Sequence, residues 1–136
     1  QDIKFTVIGS RKNFSKKLVT ILSNSEESTK KNKSLQINLA LNYGFKSELI
    51  NAISIMRKNN ILFNESNIAK HLYTKNVPDP DLLIRTGGDF RLSNFLLWQI
   101  AYSELYFTDV HWPSFRRSDL YEAIEDYQLR RRRYGV

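Results

Sequence analysis

The residues best suited to chemistry lie in one short stretch in the second half of the chain. They are two arginines, two glycines and a serine: Arg85, Gly87, Gly88, Arg91 and Ser93. Glycines allow the backbone to turn sharply or to approach a ligand closely. Guanidinium groups bind phosphate oxygens in pairs, and backbone N–H groups at the start of a helix favour anions. Together with a predicted helix start just beyond them, these are the groups that a diphosphate needs.

A carboxylate within an apolar run is the second chemical signal. Glu104 lies in the segment 100–107, where most of the other side chains are apolar or aromatic. Burying a carboxylate is costly unless it has a partner. A magnesium ion would be such a partner, because Mg2+ prefers one or two carboxylates together with phosphate oxygens.

Each of these residues also has an ordinary structural role open to it. The two arginines could form ion pairs with carboxylates of their own half of the chain, namely Asp79, Asp81, Asp89 or Asp109. Glu104 could pair with a local arginine or a backbone amide, which is the commoner arrangement. The basic run at 130–133 is typical of a solvated helix end, which the helix dipole favours.

Composition sets limits on the classes of protein to consider. The 136 residues suggest about one domain, and 41% hydrophobic with 26% charged residues are ordinary globular values. The absence of cysteine excludes disulfide scaffolds, thiolate metal sites and cysteine nucleophiles. No apolar run approaches the roughly 18 residues that a membrane-spanning helix requires.

The net charge of +7 is distributed unevenly along the chain. Residues 1–77 contain all 11 lysines, two arginines and five acids, a net of +8, whereas residues 78–136 contain eight arginines and nine acids, a net of −1. The total alone favours a nucleic-acid partner. However, the lysines are scattered over predicted turns and helix faces, which is typical of solvated surface, and no nucleic-acid-binding motif is present.

Hydrophobic periodicity predicts alternating strands and helices. Strands are predicted at 3–8, 34–43, 81–86 and 105–107. Helices are predicted at 13–25, 48–59, 66–73 and 95–103, with a polar loop that includes a frayed helix end at 23–34 and a last helix capped by Ser118. This order predicts an α/β fold with a largely parallel sheet and helices on both faces. Ligands in such folds bind beyond the carboxyl ends of the strands, where Arg85 lies.

The segment 80–107, PDLLIRTGGDFRLSNFLLWQIAYSELYF, closely resembles the signature of the cis-prenyltransferase (undecaprenyl diphosphate synthase or isoprenyl transferase) family. The resemblance continues through TDVHWP at 108–113 to RRYG at 132–135. Upstream, NYG at 42–44 is similar to the family's Asn-Tyr-Gly-Gly-Arg segment, and 3–9 is similar to the strand before it. The resemblance therefore spans the whole chain.

This resemblance implies roles for individual residues. Arg85, Arg91, Leu92 and Ser93 match positions that bind isopentenyl diphosphate, and Glu104 matches an acid that helps to bind Mg2+. Two further positions, Arg133 and Gly135, match an Arg-X-Gly end that reaches the active site of the partner subunit. The implied reaction joins isopentenyl diphosphate to an allylic diphosphate and leaves a Z double bond in the product.

Departures from the family pattern shape the expectations for this chain. The Asp-Gly-Asn-Gly-Arg-Trp loop, which binds the allylic diphosphate in the family, does not occur in the sequence. We therefore expect residues 1–136 to form the C-terminal part of a single domain, to contain no catalytic residue and to be inactive alone. Phe90 replaces a histidine that is common in the family, and Phe45-Lys46 replaces Gly-Arg.

The resemblance also implies partners and a location. The expected substrates are isopentenyl diphosphate and an allylic diphosphate such as farnesyl diphosphate, with Mg2+ as cofactor and the lipid carrier of cell-wall synthesis as the product class. The expected assembly is a cytoplasmic homodimer with peripheral membrane contact and no nucleic acid. The alternative is a non-catalytic subunit of a heteromeric cis-prenyltransferase, against which the retained arginines and Glu104 argue.

Overall fold

The computed structural model describes residues 2–130, which form two compact units, 2–77 and 78–130. The first unit contains strands β1 (Ile3–Ile8) and β2 (Leu35–Ala40) and three helices. These helices are α1 (Lys16–Thr29), α2 (Phe45–Lys58) and α3 (Glu65–Ala69). The strands run parallel, from the pair Ile3–Leu35 to the pair Ile8–Ala40. Because α1 connects them, this part is a β-α-β unit, as the sequence predicts.

Helix α1 is longer than the sequence predicts, and part of the predicted loop at 23–34 is helical. Ser15 caps its start by accepting a hydrogen bond from the Leu18 N–H at 3.2 Å. Near its end, Glu26 Oε1 and Thr29 Oγ1 accept hydrogen bonds from backbone N–H groups of β1, at 2.9 and 3.1 Å. These bonds across the unit stabilise a helical turn that has no apolar residue to reveal it in the sequence.

A buried carboxylate joins α2 to the rest of the first unit. Glu48 is only 1% exposed, and Met56 in the same helix is fully buried as well. It accepts hydrogen bonds from the Tyr43 O–H at 2.5 Å and the Tyr73 N–H at 2.6 Å. Helix α2 begins at Phe45, so the departure from Gly-Arg at this point falls in its first turn.

The second unit is built on two short strands that also pair in parallel. Strands β3 (Leu82–Arg85) and β4 (Glu104–Phe107) are aligned from the pair Leu82–Glu104 to the pair Arg85–Phe107. A single 3-10 turn precedes the last helix, α4 (Arg117–Leu129). The α/β class and the parallel pairing predicted from the sequence are therefore confirmed, and each unit has its own two-stranded parallel sheet among the described residues.

Two local predictions for the second unit are wrong. The segment 95–103 forms irregular turns instead of a helix, because Ser93, Asn94 and Leu96 have φ values of +49°, +62° and +46°. Such left-handed residues interrupt a right-handed helix. Helix α4 begins at Arg117 instead of being capped by Ser118, and Asp119 accepts a hydrogen bond from the N–H of the preceding Arg116 at 2.5 Å. Within residues 2–130, no helix combines the length and apolar character needed to cross a bilayer.

Candidate diphosphate-binding site

The candidate site begins where β3 ends, at Arg85. The next turn contains Gly87 and Gly88, with φ values of +91° and +77° that glycine adopts without strain. Their N–H groups donate to the carbonyls of Val110 and Thr108, both at 3.0 Å. The turn is thus fastened to the segment that follows β4. These two N–H groups are therefore used internally, and the described residues 95–103 form turns instead of the helix whose start was expected to favour an anion.

The predicted side chains do come together on this turn. Arg85 donates from Nη1 to Ser93 Oγ at 3.2 Å and from Nη2 to Asp89 Oδ2 at 3.1 Å. Arg91 donates from Nη2 to the same Asp89 oxygen at 2.6 Å. The Arg85 side chain is 23% exposed, whereas that of Arg91 is 66% exposed. One arginine is therefore set into the unit and the other reaches towards solvent.

Asp89 is the partner that the sequence left undetermined among four acids. Its Oδ2 receives both guanidinium groups, and its side chain is 41% exposed. A single oxyanion oxygen held between two arginines is the arrangement that a phosphate oxygen also adopts. The loop can therefore hold a negative oxygen at this point, and solvent can reach it.

A cavity of about 270 Å³ adjoins Arg85. Its lining combines apolar side chains with three polar ones. The apolar ones are Leu83, Ile84, Leu92 and Phe95, and the polar ones are Arg85, Thr86 and Ser93. Three of the four predicted substrate-binding residues thus line it, and Arg91 is linked to it through Asp89. The volume lies just below the range of about 300–1,000 Å³ typical of sites for drug-sized ligands, so it suits a small one.

Glu104 occupies a different place from the arginine loop. It is the first residue of β4, whereas Arg85 is the last residue of β3, and three residues of parallel register separate them. That spacing corresponds to about 10 Å along the strands. The Oε2 atom of Glu104 lies 2.9 Å from Nη1 of Arg130, so a local arginine is the partner that the structure shows. This bond is the main cause that raises the pKa of Arg130 above its ordinary value.

The role of Glu104 as a magnesium ligand stays a prediction. Among the described residues, no three His, Cys, Asp or Glu side chains gather in a way that could hold a metal ion. A single carboxylate is still compatible with Mg2+ when phosphate oxygens supply other ligands. In that case Glu104 would share its charge between the ion and Arg130. The predicted partner-contact residues, Arg133 and Gly135, lie outside the described residues.

Two side-chain contacts of this region, one made by Arg130 and one by Phe90, were missed by the sequence analysis. Arg130 belongs to a basic run interpreted as solvated, yet its side chain is 31% exposed and holds Glu104. Phe90, which replaces the histidine common in the family, is 77% exposed, with its ring centroid 5.2 Å from that of Phe107. The Arg130–Glu104 pair joins residues 26 positions apart, so no local pattern in the sequence indicates it.

The parallel strands define an α/β protein, and the carboxyl end of β3 presents two arginines and a hydroxyl beside a small cavity. Comparison with known proteins specifies the class. The family described as "Putative undecaprenyl diphosphate synthase" matches residues 1–135. The chain belongs to this family, the cis-prenyltransferases, as the resemblance predicts.

Individual relatives agree with this assignment. Isoprenyl transferases of Fusobacterium nucleatum and Nitrosomonas europaea are 46% and 45% identical, each over 98% of this chain. The matches cover 58% and 52% of those two proteins, so the chain spans a little over half of their length.

Solved structures give the same result for the fold. The crystal structure of a "probable undecaprenyl diphosphate synthase" from Campylobacter jejuni matches 99% of this chain and 64% of that one, with TM-score 0.89 and 32% identity. Lavandulyl diphosphate synthase from Lavandula x intermedia, in complex with dimethylallyl diphosphate, matches 99% and 61%, with TM-score 0.92 and 35% identity.

Proposed function

We propose that this chain carries the isopentenyl-diphosphate-binding part of a Z-specific prenyl diphosphate synthase. The observation that carries the proposal is the shared oxygen of Asp89, which lies 3.1 Å from Arg85 and 2.6 Å from Arg91. A diphosphate has several such oxygens and a higher charge than a carboxylate. It would therefore compete well for the same two guanidinium groups.

The cavity lining supports the same ligand. The diphosphate would contact Arg85, Arg91 and the Ser93 hydroxyl, while the short hydrocarbon part would lie against apolar residues such as Leu92 and Phe95. Charge would thus be fixed at one end of the ligand and its carbon–carbon double bond held near the apolar wall. Such positioning converts an encounter of two substrates into an oriented reaction.

In the proposed reaction, the carbon–oxygen bond of the allylic diphosphate breaks and the diphosphate leaves with the electron pair. The double bond of isopentenyl diphosphate forms the new carbon–carbon bond, and a proton is lost to restore a double bond in the Z configuration. Arg85 and Arg91 keep the isopentenyl diphosphate bound throughout. Mg2+, for which Glu104 would be one ligand, would supply neutralising charge to diphosphate oxygens.

Isopentenyl diphosphate binding to the chain, measured by titration calorimetry, tests the proposal. Arg91→Ala should weaken binding by about 10- to 100-fold, because hydrogen bonds to charged groups contribute about 1.5–3 kcal/mol. Arg57→Ala is the matched control, since it removes the same charge from an exposed position in α2. Equal affinity of the Arg91 variant and the wild type would contradict the assignment of the site.

The same proposal extends to the allylic substrate and to the assembly of the whole protein. The allylic substrate would be farnesyl diphosphate or a similar molecule, and the active assembly would be a cytoplasmic homodimer at the membrane surface. The test uses the polypeptide in the form that its cell produces. If this polypeptide elongates farnesyl diphosphate, the result supports the catalytic role. Binding of isopentenyl diphosphate without any elongation would instead favour a non-catalytic subunit.

A further inference from the structure

A short loop of the first unit places two large apolar side chains in solvent. Leu62 and Phe63 lie between the end of α2 at Lys58 and the start of α3 at Glu65, and they are 75% and 56% exposed. We name these two residues the apolar tip. Single exposed apolar residues need no special explanation, but adjacent ones that the fold holds outward can form an interaction surface.

The backbone on both sides of the apolar tip is fixed by hydrogen bonds. The N–H of Ile61 donates to the Met56 carbonyl at 2.9 Å, which anchors the loop to α2. On the other side, Nδ2 of Asn67 donates to the Leu62 carbonyl at 2.9 Å, and its N–H donates to Oδ1 of Asn64 at 2.8 Å. These bonds anchor the loop to α3. The two apolar side chains are therefore held in solvent between two anchored helices.

Basic residues flank the apolar tip. The segment 57–70 contains three basic residues, Arg57, Lys58 and Lys70, and one acid, Glu65. The three basic residues are exposed, and none of them forms an ion pair with a carboxylate among the described residues. The sequence 1–77 around them has a net charge of +8. A partner that covers the apolar tip must therefore be apolar at the tip and negatively charged around it.

The surface of an anionic lipid bilayer has both properties. Binding at such a surface depends on the apolar area that enters the headgroup region and on attraction between basic residues and lipid phosphates. A protein partner fits less well, because two side chains supply only a small part of the roughly 800 Å² that each partner contributes to a stable interface. Size and charge together therefore favour a lipid surface.

We propose that the apolar tip is a docking site for an anionic lipid bilayer. Leu62 and Phe63 enter the headgroup region, and Arg57, Lys58 and Lys70 contact lipid phosphates. The binding itself is independent of the diphosphate site, which belongs to the other unit. Its use rests on the proposed function, since an enzyme that extends a hydrocarbon chain has a product that dissolves in a bilayer and not in water.

Vesicle sedimentation tests the inference, with the polypeptide in the form that its cell produces. The vesicles contain either equal parts of phosphatidylcholine and phosphatidylglycerol or phosphatidylcholine alone. The wild type should bind the anionic vesicles more tightly than the neutral ones. Leu62→Ser should weaken binding to the anionic vesicles by about tenfold, because the apolar area that enters the lipid is lost. Leu129→Ser is the matched control and should bind like the wild type, since Leu129 is an equally apolar residue that is 85% exposed in the second unit.

Two pairs of lysines test the contribution of charge. Lys58→Gln combined with Lys70→Gln should weaken binding to the anionic vesicles by about fivefold for each charge removed. Lys16→Gln combined with Lys17→Gln removes the same charge from exposed positions at the start of α1, away from the loop in sequence, and should weaken binding less. High salt should reduce the difference between the two pairs, because it screens exposed charges.

A fluorescent label measures insertion directly. Because the chain has no cysteine, Phe63→Cys can be labelled at that position alone with a polarity-sensitive fluorophore. Its emission should move to shorter wavelength when anionic vesicles are added. The same label on Leu129→Cys should show no such shift.

Several results would overturn the inference. They are an absence of wild-type binding to anionic vesicles, equal binding to neutral ones, and equal binding by Leu62→Ser and Leu129→Ser. A protein interface would be the answer if the label at Phe63→Cys responded to a second polypeptide and not to vesicles. Calorimetry without vesicles tests the proposed function separately, and Leu62→Ser should bind isopentenyl diphosphate like the wild type. If the wild type bound vesicles but no isopentenyl diphosphate, the proposed function would be wrong and the docking site would stand.

Discussion

Two carboxylates, Glu48 in the first unit and Asp89 in the second, are bound in different ways. Glu48 accepts hydrogen bonds from the Tyr43 O–H and the Tyr73 N–H and so joins α2 to the rest of its unit. In residues 78–130, Asp89 and Glu104 are held by arginine side chains. Exposure follows the same division, since Glu48 is 1% exposed and the side chain of Asp89 is 41% exposed.

The difference separates polar groups that build a fold from polar groups that can exchange partners. A buried acceptor such as Glu48 cannot release its donors without leaving them unsatisfied, which costs about 1–3 kcal/mol for each group. An exposed acceptor such as Asp89 can yield its arginines to another anion at little cost, because solvent screens the ion pairs. We therefore expect mutations of the first kind to affect folding and mutations of the second kind to affect binding.

The largest expected effect is that of Glu48→Ala. It removes the acceptor of the Tyr43 O–H and the Tyr73 N–H and leaves a cavity in place of a side chain that is 1% exposed. We expect the free energy of unfolding to fall by about 3 kcal/mol, which is the range for a lost buried hydrogen-bond network. Urea denaturation followed by circular dichroism measures the change.

Two milder variants serve as controls for that result. Tyr43→Phe removes one donor and should cost about 1 kcal/mol, and Glu48→Gln keeps an acceptor oxygen and should cost less than Glu48→Ala. A loss below about 1 kcal/mol for Glu48→Ala itself would show that the carboxylate is not part of the framework.

The second prediction concerns Asp89→Asn, which should have little effect on folding. We expect the free energy of unfolding to change by less than about 1 kcal/mol, because its ion pairs with Arg85 and Arg91 are partly exposed. The affinity for isopentenyl diphosphate should rise by roughly three- to tenfold, since a negative charge beside the bound anion is lost. Calorimetry at low and high salt measures the change in affinity. If Asp89→Asn destabilised the fold as much as Glu48→Ala, the distinction between the buried Glu48 and the exposed Asp89 would be wrong.

The smallest expected effect is a pH dependence carried by Asp2. A hydrogen bond from the Ser34 hydroxyl, at 2.6 Å, is the first cause that lowers the pKa of this carboxyl, with backbone N–H donors adding to it. A lowered pKa in the folded state stabilises the fold above about pH 4, and this contribution is lost as the pH falls through the folded pKa.

Asp2→Asn should therefore be slightly less stable than the wild type near neutral pH, and the two proteins should converge in acid. Thermal unfolding across that range gives the comparison. A constant difference at every pH would show that the ionised carboxylate is not the stabilising form.

Elements with a regular hydrophobic pattern could be predicted from the sequence. Alternation at 3–8 and the apolar run at 81–86 gave the strands β1 and β3 to within about two residues, because each depends on local burial alone. Arg85 and Ser93 were predicted to lie together because their motif is contiguous. Their partner was not, since four acids satisfied the same condition and only the turn at Gly87 selects Asp89.

The wrong predictions arise from interactions that have no sequence period. The extension of α1 depends on bonds from Glu26 and Thr29 to strand β1, about 20 residues away. The helix predicted at 95–103 has suitable apolar residues, but the left-handed backbone at Ser93 and Leu96 prevents it. Periodicity reports which residues are buried and not which backbone conformation buries them.

The bonds from α1 to β1 have a consequence for self-association. An uncovered strand edge pairs readily with another chain, which leads to aggregation. Here, side chains occupy the outer edge of β1: Thr29 and Glu26 accept from Phe5 and Val7, and Asn32 donates to the Ile3 carbonyl. A foreign strand would have to displace three side chains before its first main-chain bond could form. The side chains on this edge of β1 therefore disfavour the addition of a strand from another molecule there.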